Sequence, residues 1–253
     1  MDRKISCTII AKNEEDRIAE CLRSVRDVAD EIVVVDSGSS DRTLEICRSF
    51  GATCHHHDWQ GFGQQKRFAE DRATHDWILN IDADEWLTPD LQREIKAWAA
   101  AQPEDGIVGY RIDIKTVYPG QDRPRPLADQ HRYVRLYDRR FCRFPASAAF
   151  DEIHLPSRQV RALKHPMYHR SIRSLSHYIE KNIAYFNIQC SEKIKGRYLF
   201  FIRVLVEPFG AFFKYYILRR HFTGGCYGFL IASTAAVLRT YRLMLLTFPH
   251  RPR

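Results

Sequence analysis

The sequence predicts an α/β fold, in which helices flank a mostly parallel sheet and a helical region follows at the C-terminal end. Three observations predict it. Short apolar runs rich in β-branched residues alternate with segments of helical periodicity in the front of the chain. Acidic residues follow those runs, at the strand ends where open α/β sheets bind ligands. The rear carries helical spacing and blocks of aromatic and basic residues.

The front of the chain begins with a strand, a helix and a second strand. Residues 5–10 form a short apolar run, and residues 31–35 form an almost continuous one, so both are predicted strands buried in a sheet. Between them Ile18, Leu22 and Val25 recur at helical spacing.

The same unit then repeats. Residues 44–50, which Gly51 follows, predict a second helix. Residues 77–81 predict a third buried strand, and Thr88 and Pro89 supply an N-cap and a first helical residue for a helix that ends near Ala100. Strands that alternate with helices in this way favour a parallel sheet covered on both faces.

Beyond residue 105 the pattern changes. Residues 106–115 and 132–137 predict two further strands, and residues 174–190 have the spacing of an amphipathic helix. Thirteen of the 31 aromatic residues lie between residues 198 and 248, interleaved with arginines and a lysine. We expect this end to lie at a membrane interface; the alternative is that its aromatic residues cover the core.

Charge is divided unevenly along the 253 residues, whose net charge is +8. Residues 1–110 contain 13 basic and 22 acidic residues, and residues 111–253 contain 26 basic and nine acidic ones. An acidic front is a poor nucleic-acid binder, so we expect no nucleic-acid partner, whereas the basic rear suits an anionic lipid surface.

The cysteines and the N-terminus bear on the compartment. Seven scattered cysteines without a C-x-x-C pair suggest neither a disulfide framework nor a zinc finger. The N-terminal residues lack the pattern of a signal peptide. We therefore expect a cytoplasmic protein, peripheral at the inner membrane.

Asp82 and Asp84 stand one residue apart, directly after a predicted buried strand. Two carboxylates at this spacing can share a hard divalent cation, Mg²⁺ or Mn²⁺, that holds diphosphate oxygens. The alternative is a solvated acidic turn that caps the next helix.

Other polar residues favour a nucleotide bound through acids and a metal. Asp36 ends the second strand, where a carboxylate can bind a ribose or base. The first strand leads into no G-x-G-x-x-G turn, which makes a dinucleotide-dependent oxidoreductase a poor interpretation. Residues 61–66 could bring backbone and Lys66 to a phosphate, or could form a simple glycine turn.

Four motifs in order resemble those of the family 2 glycosyltransferases, which have the GT-A fold. The motifs are residues 9–14 (IIAKNE), 33–41 (VVVDSGSSD), 59–66 (WQGFGQQK) and 79–85 (LNIDADE). The lipopolysaccharide-core glucosyltransferases of bacteria are the most similar branch, over nearly the whole chain. The resemblance implies a nucleotide-sugar donor, a divalent cation and inversion at the anomeric carbon of the sugar.

The resemblance also implies roles for particular residues. Asp82 and Asp84 would bind the metal and the diphosphate, and the substrate-binding set would include Asn13, Glu14 and Asp36 near the nucleoside. Many members have a second acidic residue after the second strand, where this chain has Ser37, so the residue that contacts the base is left open.

An inverting transfer needs a carboxylate that deprotonates the acceptor hydroxyl. Residues 150–154 (FDEIH) and 165–169 (HPMYH) resemble the histidine–glutamate motif of the family and its downstream histidine segment. The alignment assigns the base to Glu152, keeps Asp151 as the alternative, and makes His169 a candidate for contact with pyrophosphate or acceptor. These two acids could instead form a salt bridge.

We expect three parts: residues 1–110 as the nucleotide-sugar half, 111–173 as the acceptor half and 174–253 as the helical region. The predicted reaction transfers a hexose, glucose from UDP-glucose, to the inner core of lipopolysaccharide. Rival hypotheses are a polyprenyl-linked, capsule or O-antigen acceptor, and a non-catalytic protein that binds membranes or nucleic acid. Five arginines are interpreted as a solvated face or, if functional, as a charge field that holds acceptor phosphates: Arg132, Arg135, Arg139, Arg140 and Arg143.

Overall fold

The computed structural model describes residues 3–102, 105–147, 151–190 and 200–247. The chain divides into two compact units. The sheet unit comprises Met1–Lys115 and Gln130–His169, and the helical unit comprises Thr116–Asp129 and Arg170–Arg253. The three-part division expected from the sequence stays a prediction.

The described residues of the sheet unit form one nine-stranded sheet, in the order β3-β2-β1-β4-β7-β6-β9-β5 with β8 beside β6. Its strands are β1 (Ile5–Ala11), β2 (Glu31–Asp36), β3 (Thr53–His56), β4 (Trp77–Asp82), β5 (Glu85–Leu87), β6 (Gly109–Thr116), β7 (Gln130–Asp138), β8 (Val160–Ala162) and β9 (Met167–His169). Its helices are α1 (Ile18–Val25), α2 (Thr43–Ser49), α3 (Phe62–Arg72) and α4 (Pro89–Ala100), with a 3₁₀ turn at Ser157–Gln159.

The first four strands in the order are parallel, as the sequence predicts, and β7 joins β4 in the antiparallel sense. Ala11 of β1 pairs with Asp36 on one side, and Ile10 pairs with Asp82 on the other. Asp36 and Asp82 therefore end strands at the same edge of the sheet, two strand spacings apart, which is about 9.6 Å between backbones.

Buried apolar faces explain the predicted helices. Ile18, Leu22 and Val25 are fully buried against the sheet, which confirms the amphipathic pattern of α1. Thr88 caps α4, because its Oγ1 accepts a hydrogen bond of 3.3 Å from the Leu91 N–H. Such a cap stabilises a helix by about 1 kcal/mol.

Helix α3 is not predicted by apolar periodicity, because its buried face is largely polar. Gln65, Lys66 and Glu70 are among its buried residues. Gly61 precedes the helix with φ of +115°, a conformation that glycine adopts without strain. The segment 61–66 is therefore a glycine entry into a helix, and Lys66 lies one turn inside it.

The described residues of the helical unit form α5 (Leu175–Cys190), α6 (Phe200–Phe213) and α7 (Gly225–Thr247), with a π turn at Lys214–Leu218 and a 3₁₀ turn at His221–Gly224. A Cβ added at Gly228 would lie 1.8 Å from the His221 carbonyl oxygen, so the start of α7 packs closely on that turn. The segment His221–Thr247 is long and apolar enough to cross a membrane, by length and composition alone. Residues 191–199 and 248–253 of the predicted C-terminal region lie outside the described residues.

Candidate active site

A cavity of about 430 Å³ in the sheet unit collects most of the predicted site residues. Its acidic lining residues are Asp82, Glu85, Asp151 and Glu152, and its basic ones are Lys66, Arg111, Arg132 and Arg135. Three histidines also line it: His131, His154 and His169. The strand ends and the segment after β7 thus bring donor-side and acceptor-side candidates into one space. Asn13, Glu14, Asp36 and Asp84 are outside this lining.

Asp82, at the end of β4, is held between two cations. Lys66 Nζ lies 3.0 Å from its Oδ1, and Arg135 Nη2 donates a hydrogen bond of 3.0 Å to its Oδ2. Burial would raise the pKa of Asp82, but the charges of Lys66 and Arg135 outweigh burial and hold that pKa well below its usual range. Asp82 is therefore an ionised carboxylate.

Arg135 reaches into the site from β7 and is 6% exposed. Its guanidinium also donates to Glu85 Oε1 at 2.7 Å and to Asn80 Oδ1 at 2.9 Å. Burial and the nearby Asp82 charge raise the pKa of Glu85, and Arg135 opposes that shift. This arginine therefore compensates two carboxylates that would otherwise repel each other.

The solvated arginine face expected from the sequence holds for Arg132 and Arg140, which are exposed, and is wrong for the other three, which contact different parts of the fold. Arg139 donates to the backbone carbonyls of Glu70 and Ala73, at 2.7 Å each, and Arg143 Nε donates to the Glu70 carboxylate at 2.9 Å. Arg132 pairs with Asp113, and Arg140 pairs with Asp138. The cross-strand register and the burial of each side chain determine these different roles. Neither can be read from the spacing of the arginines in the sequence.

Asp84 takes part in a second charge network. His169 Nε2 lies 3.2 Å from its Oδ2, and Arg17 Nη1 donates to the same oxygen at 3.3 Å. Arg17 also donates to Glu14, at 2.9 Å from Nε. Burial would raise the pKa of Asp84, but His169 and Arg17 lower it; burial would lower the pKa of His169, but Asp84 raises it.

The loops after β1 and β2 are tied to each other. Asp36 Oδ2 accepts from the backbone N–H groups of Gly38 and Ser39, at 2.8 and 2.9 Å. Asn13, whose φ is +56°, accepts from the Ser40 N–H at 2.9 Å and donates its own N–H to Ser39 Oγ at 2.9 Å. These residues shape the edge of the sheet, and their contact with a nucleoside stays a prediction.

The two candidates for the base differ in their surroundings. Asp151 Oδ2 lies 2.9 Å from Lys66 Nζ, so Asp151 is paired. Glu152 is exposed to the cavity and has no partner among the residues that the structure describes. An unpaired carboxylate is free to accept a proton, which favours Glu152. Phe150 of the same motif lies outside the described residues.

Sequence reasoning missed Arg17, Glu85 and Arg135. One signal was available for Arg135: a charged residue inside the apolar run of β7 must find a buried partner or destabilise the strand. Arg17 and Glu85 offered no comparable signal, because a charged residue at the start of a helix or after a turn is ordinarily solvated.

The chemistry of the site suits a divalent cation held jointly with a ligand. Asp82 Oδ1 is buried and accepts no hydrogen bond of good geometry, although Lys66 lies within ion-pair distance. The described residues contain no group of three or more His, Cys, Asp or Glu side chains that could hold a metal alone. Mg²⁺ commonly uses one or two carboxylates and completes its shell with phosphate oxygens and water, which this donor set fits.

A sheet whose parallel strands end at a D-x-D pair, beside a cavity of carboxylates and cations, defines a glycosyltransferase of the GT-A fold class, which confirms the fold predicted from the sequence. The chain belongs to glycosyl transferase family 2, whose model matches residues 6–161.

Similar proteins cover almost the whole chain. An uncharacterized glycosyltransferase of Rickettsia bellii is 36% identical over 252 residues, which are 96% of this chain and 86% of that protein. The lipopolysaccharide core biosynthesis glycosyltransferase LpsC of Rhizobium meliloti is 29% identical over 240 residues, 92% of this chain and 88% of that protein. A crystal structure of S. aureus TarS 1–349 in complex with UDP-GlcNAc has a TM-score of 0.49 at 16% identity, over 96% of this chain and 84% of that chain.

Proposed function

We propose that the protein is a metal-dependent, inverting glycosyltransferase that moves a hexose, glucose from UDP-glucose, to an acceptor in the inner core of lipopolysaccharide. One observation carries the reaction type: ionised Asp82 lines the same cavity as Glu152, which no described residue pairs with. The name of the Rhizobium relative supports the acceptor class.

The donor would bind with its diphosphate at the edge of the sheet. Asp82 and Asp84 would hold Mg²⁺ or Mn²⁺, which offsets the charge that develops on the departing diphosphate. Lys66 and Arg135 already face Asp82 and would add positive charge beside the diphosphate. Asp36, Asn13 and Glu14 would contact the nucleoside.

The transfer would occur in one displacement. Glu152 accepts the proton of the acceptor hydroxyl as its oxygen forms the bond to the anomeric carbon of the sugar. The bond from that carbon to the diphosphate oxygen breaks, and its electron pair leaves with the nucleoside diphosphate. Attack opposite the leaving group inverts the anomeric configuration.

The donor and metal assignments are tested together by release of nucleoside diphosphate. Purified protein is assayed against a panel of nucleotide sugars, with Mg²⁺, with Mn²⁺ and with a chelator. We expect UDP-glucose to be the best donor and chelation to abolish turnover. Full activity in the chelator, or in an Asp84→Asn variant, would overturn the metal assignment, whereas Asp90→Asn, at an exposed position of α4, serves as the matched control.

The helical unit supports the proposed location at the inner face of the cytoplasmic membrane. Phe201, Leu205 and Phe209 follow one another at four-residue spacing on α6 and are 81%, 68% and 77% exposed. Residues at this spacing share a helix face, so they form an apolar stripe. Lys214 follows the stripe at the next turn and offers charge to anionic headgroups.

A further inference from the structure

Most charged side chains that line the cavity form ion pairs, and two of them have no partner among the described residues. Lys66 pairs with Asp82 and Asp151, and Arg135 pairs with Asp82 and Glu85. Arg132, a third basic residue of the lining, pairs with Asp113. Of the charged Asp, Glu, Lys and Arg side chains in the lining, Glu152 and Arg111 have no partner among the described residues.

Arg111 is held in a fixed position by its backbone. It lies on β6, where it is registered with Val134 of β7 on one side and with Ala162 of β8 on the other. Its carbonyl oxygen accepts a hydrogen bond of 2.9 Å from the Leu163 N–H. The side chain is half-buried, so its guanidinium loses part of its hydration, and no residue that the structure describes compensates for that loss.

The surroundings of Arg111 favour an anion. His131 and His154 also line the cavity and are exposed, and no carboxylate pairs with either among the described residues. The other three acidic side chains in the lining, Asp82, Glu85 and Asp151, are each paired with Lys66 or Arg135. Arg111 is therefore a cation of the lining that no carboxylate of the described residues engages, and the donor's diphosphate, served by Lys66, Arg135 and a metal ion, does not require it.

We propose that Arg111 is an acceptor-binding residue, and that it recognises an anionic group, phosphate or carboxylate, carried by the acceptor saccharide near its reacting hydroxyl. A guanidinium presents two parallel N–H donors that match both groups. Arg111 and Glu152 would then act on one substrate, since the first anchors its charge and the second takes its proton. This assignment deepens the proposed function and rests on it.

The test compares charged and neutral sugars as probes. Binding of glucose, glucose 6-phosphate and glucuronate to the full-length protein is measured by calorimetry, with and without saturating UDP. We expect both anionic sugars to bind at least about tenfold more tightly than glucose, since a hydrogen bond to a charged group contributes about 1.5–3 kcal/mol. The two anionic probes show whether phosphate or carboxylate is preferred.

Substitutions of Arg111 show whether this residue causes the preference for anionic sugars. Arg111→Ala should abolish the preference for the anionic sugars, Arg111→Lys should keep part of it, and UDP affinity should not change in either. Arg93→Ala removes an exposed arginine of α4 and is the matched control, expected to keep the full preference. Circular dichroism establishes that each variant is folded.

Three results would overturn the proposal: equal binding of charged and neutral sugars by the native protein, an unchanged preference in both Arg111 variants, or a loss of UDP binding instead of the preference. The last result would assign Arg111 to binding of the donor. If UDP fails to bind the native protein, the proposed function fails, while the measurement without UDP still decides whether Arg111 binds anions.

Discussion

Lys66 Nζ lies 3.0 Å from Asp82 Oδ1 and 2.9 Å from Asp151 Oδ2, so one buried ammonium joins the D-x-D pair to the segment that carries the candidate base. The lysine comes from α3 and is 2% exposed. A divalent cation at Asp82 must therefore share that carboxylate with Lys66. Under the proposed function, this relationship would couple donor binding to the acceptor side of the cavity.

Replacement of Lys66 tests this relationship. Lys66→Ala leaves Asp82 and Asp151 without their shared partner; because these carboxylates are 30% and 36% exposed, the loss should cost about 1–3 kcal/mol. We expect the free energy of unfolding, measured with denaturant, to fall by that order, and UDP affinity to fall at least about tenfold. The control, Lys4→Ala, removes an exposed ion pair with Asp30 and should change stability by less than about 1 kcal/mol. Equal effects of the two substitutions would contradict the pairing.

Glu152 and Asp151 can be separated by isosteric substitutions. Glu152→Gln removes the proton acceptor and should lower kcat by about 10²–10⁴-fold, with UDP affinity unchanged. Asp151→Asn should leave kcat within a few-fold of the native value and affect mainly the contact with Lys66. The measurement is steady-state transfer together with UDP binding. A loss of kcat in Asp151→Asn alone would assign the base to Asp151.

The helical unit should lose stability in acid through Asp129. Its carboxylate lies 3.3 Å from His221 Nε2 and accepts a bond of 3.3 Å from Arg125 Nη2. Partial burial would raise the pKa of Asp129, but the hydrogen bond and charge of His221, with the charge of Arg125, lower it below the ordinary value of 3.8. The unfolded chain then binds a proton at higher pH than the folded one does, so this stabilisation is present above pH 3.8 and is lost as pH falls through the lowered pKa.

Thermal unfolding as a function of pH measures this contribution. Asp129→Asn should lower stability at neutral pH and make its decline below pH 3.8 shallower than in the native protein. Asp122→Asn, at a position 96% exposed, should leave the whole profile unchanged. Parallel profiles for the native protein and Asp129→Asn would contradict the pKa shift.

The apolar stripe on α6 predicts binding to lipid. Native protein should sediment with vesicles that contain anionic phospholipid, and Phe201→Ser with Phe209→Ser should reduce that binding at least about tenfold, because burial of each phenylalanine contributes about 1.5–3 kcal/mol. Phe141→Ser removes an exposed phenylalanine of the sheet unit and is the control. If the double variant and the control sediment equally, the stripe does not bind the membrane.

The sequence by itself determined the order of the elements and the local chemistry of the site. Ile18, Leu22 and Val25 revealed α1 by their period, Thr88 and Pro89 revealed the start of α4, and two carboxylates one residue apart revealed the D-x-D pair. These features depend on neighbours within one or two helical turns, and so they are visible in a single stretch of chain.

The tertiary structure decided which charges neutralise one another. Arg135 pairs with Asp82 across 53 positions of sequence, and Lys66 reaches Asp151 across 85. Arg111 lines the same cavity and has no charged partner in the part of the chain that the structure describes. Helix α3 was not predicted from the sequence, because the side chains that it buries are largely polar and form no apolar pattern. Burial removes water from such groups, so the contacts made across the sheet, and not the residue types, determine which charges are compensated and which are left for a substrate.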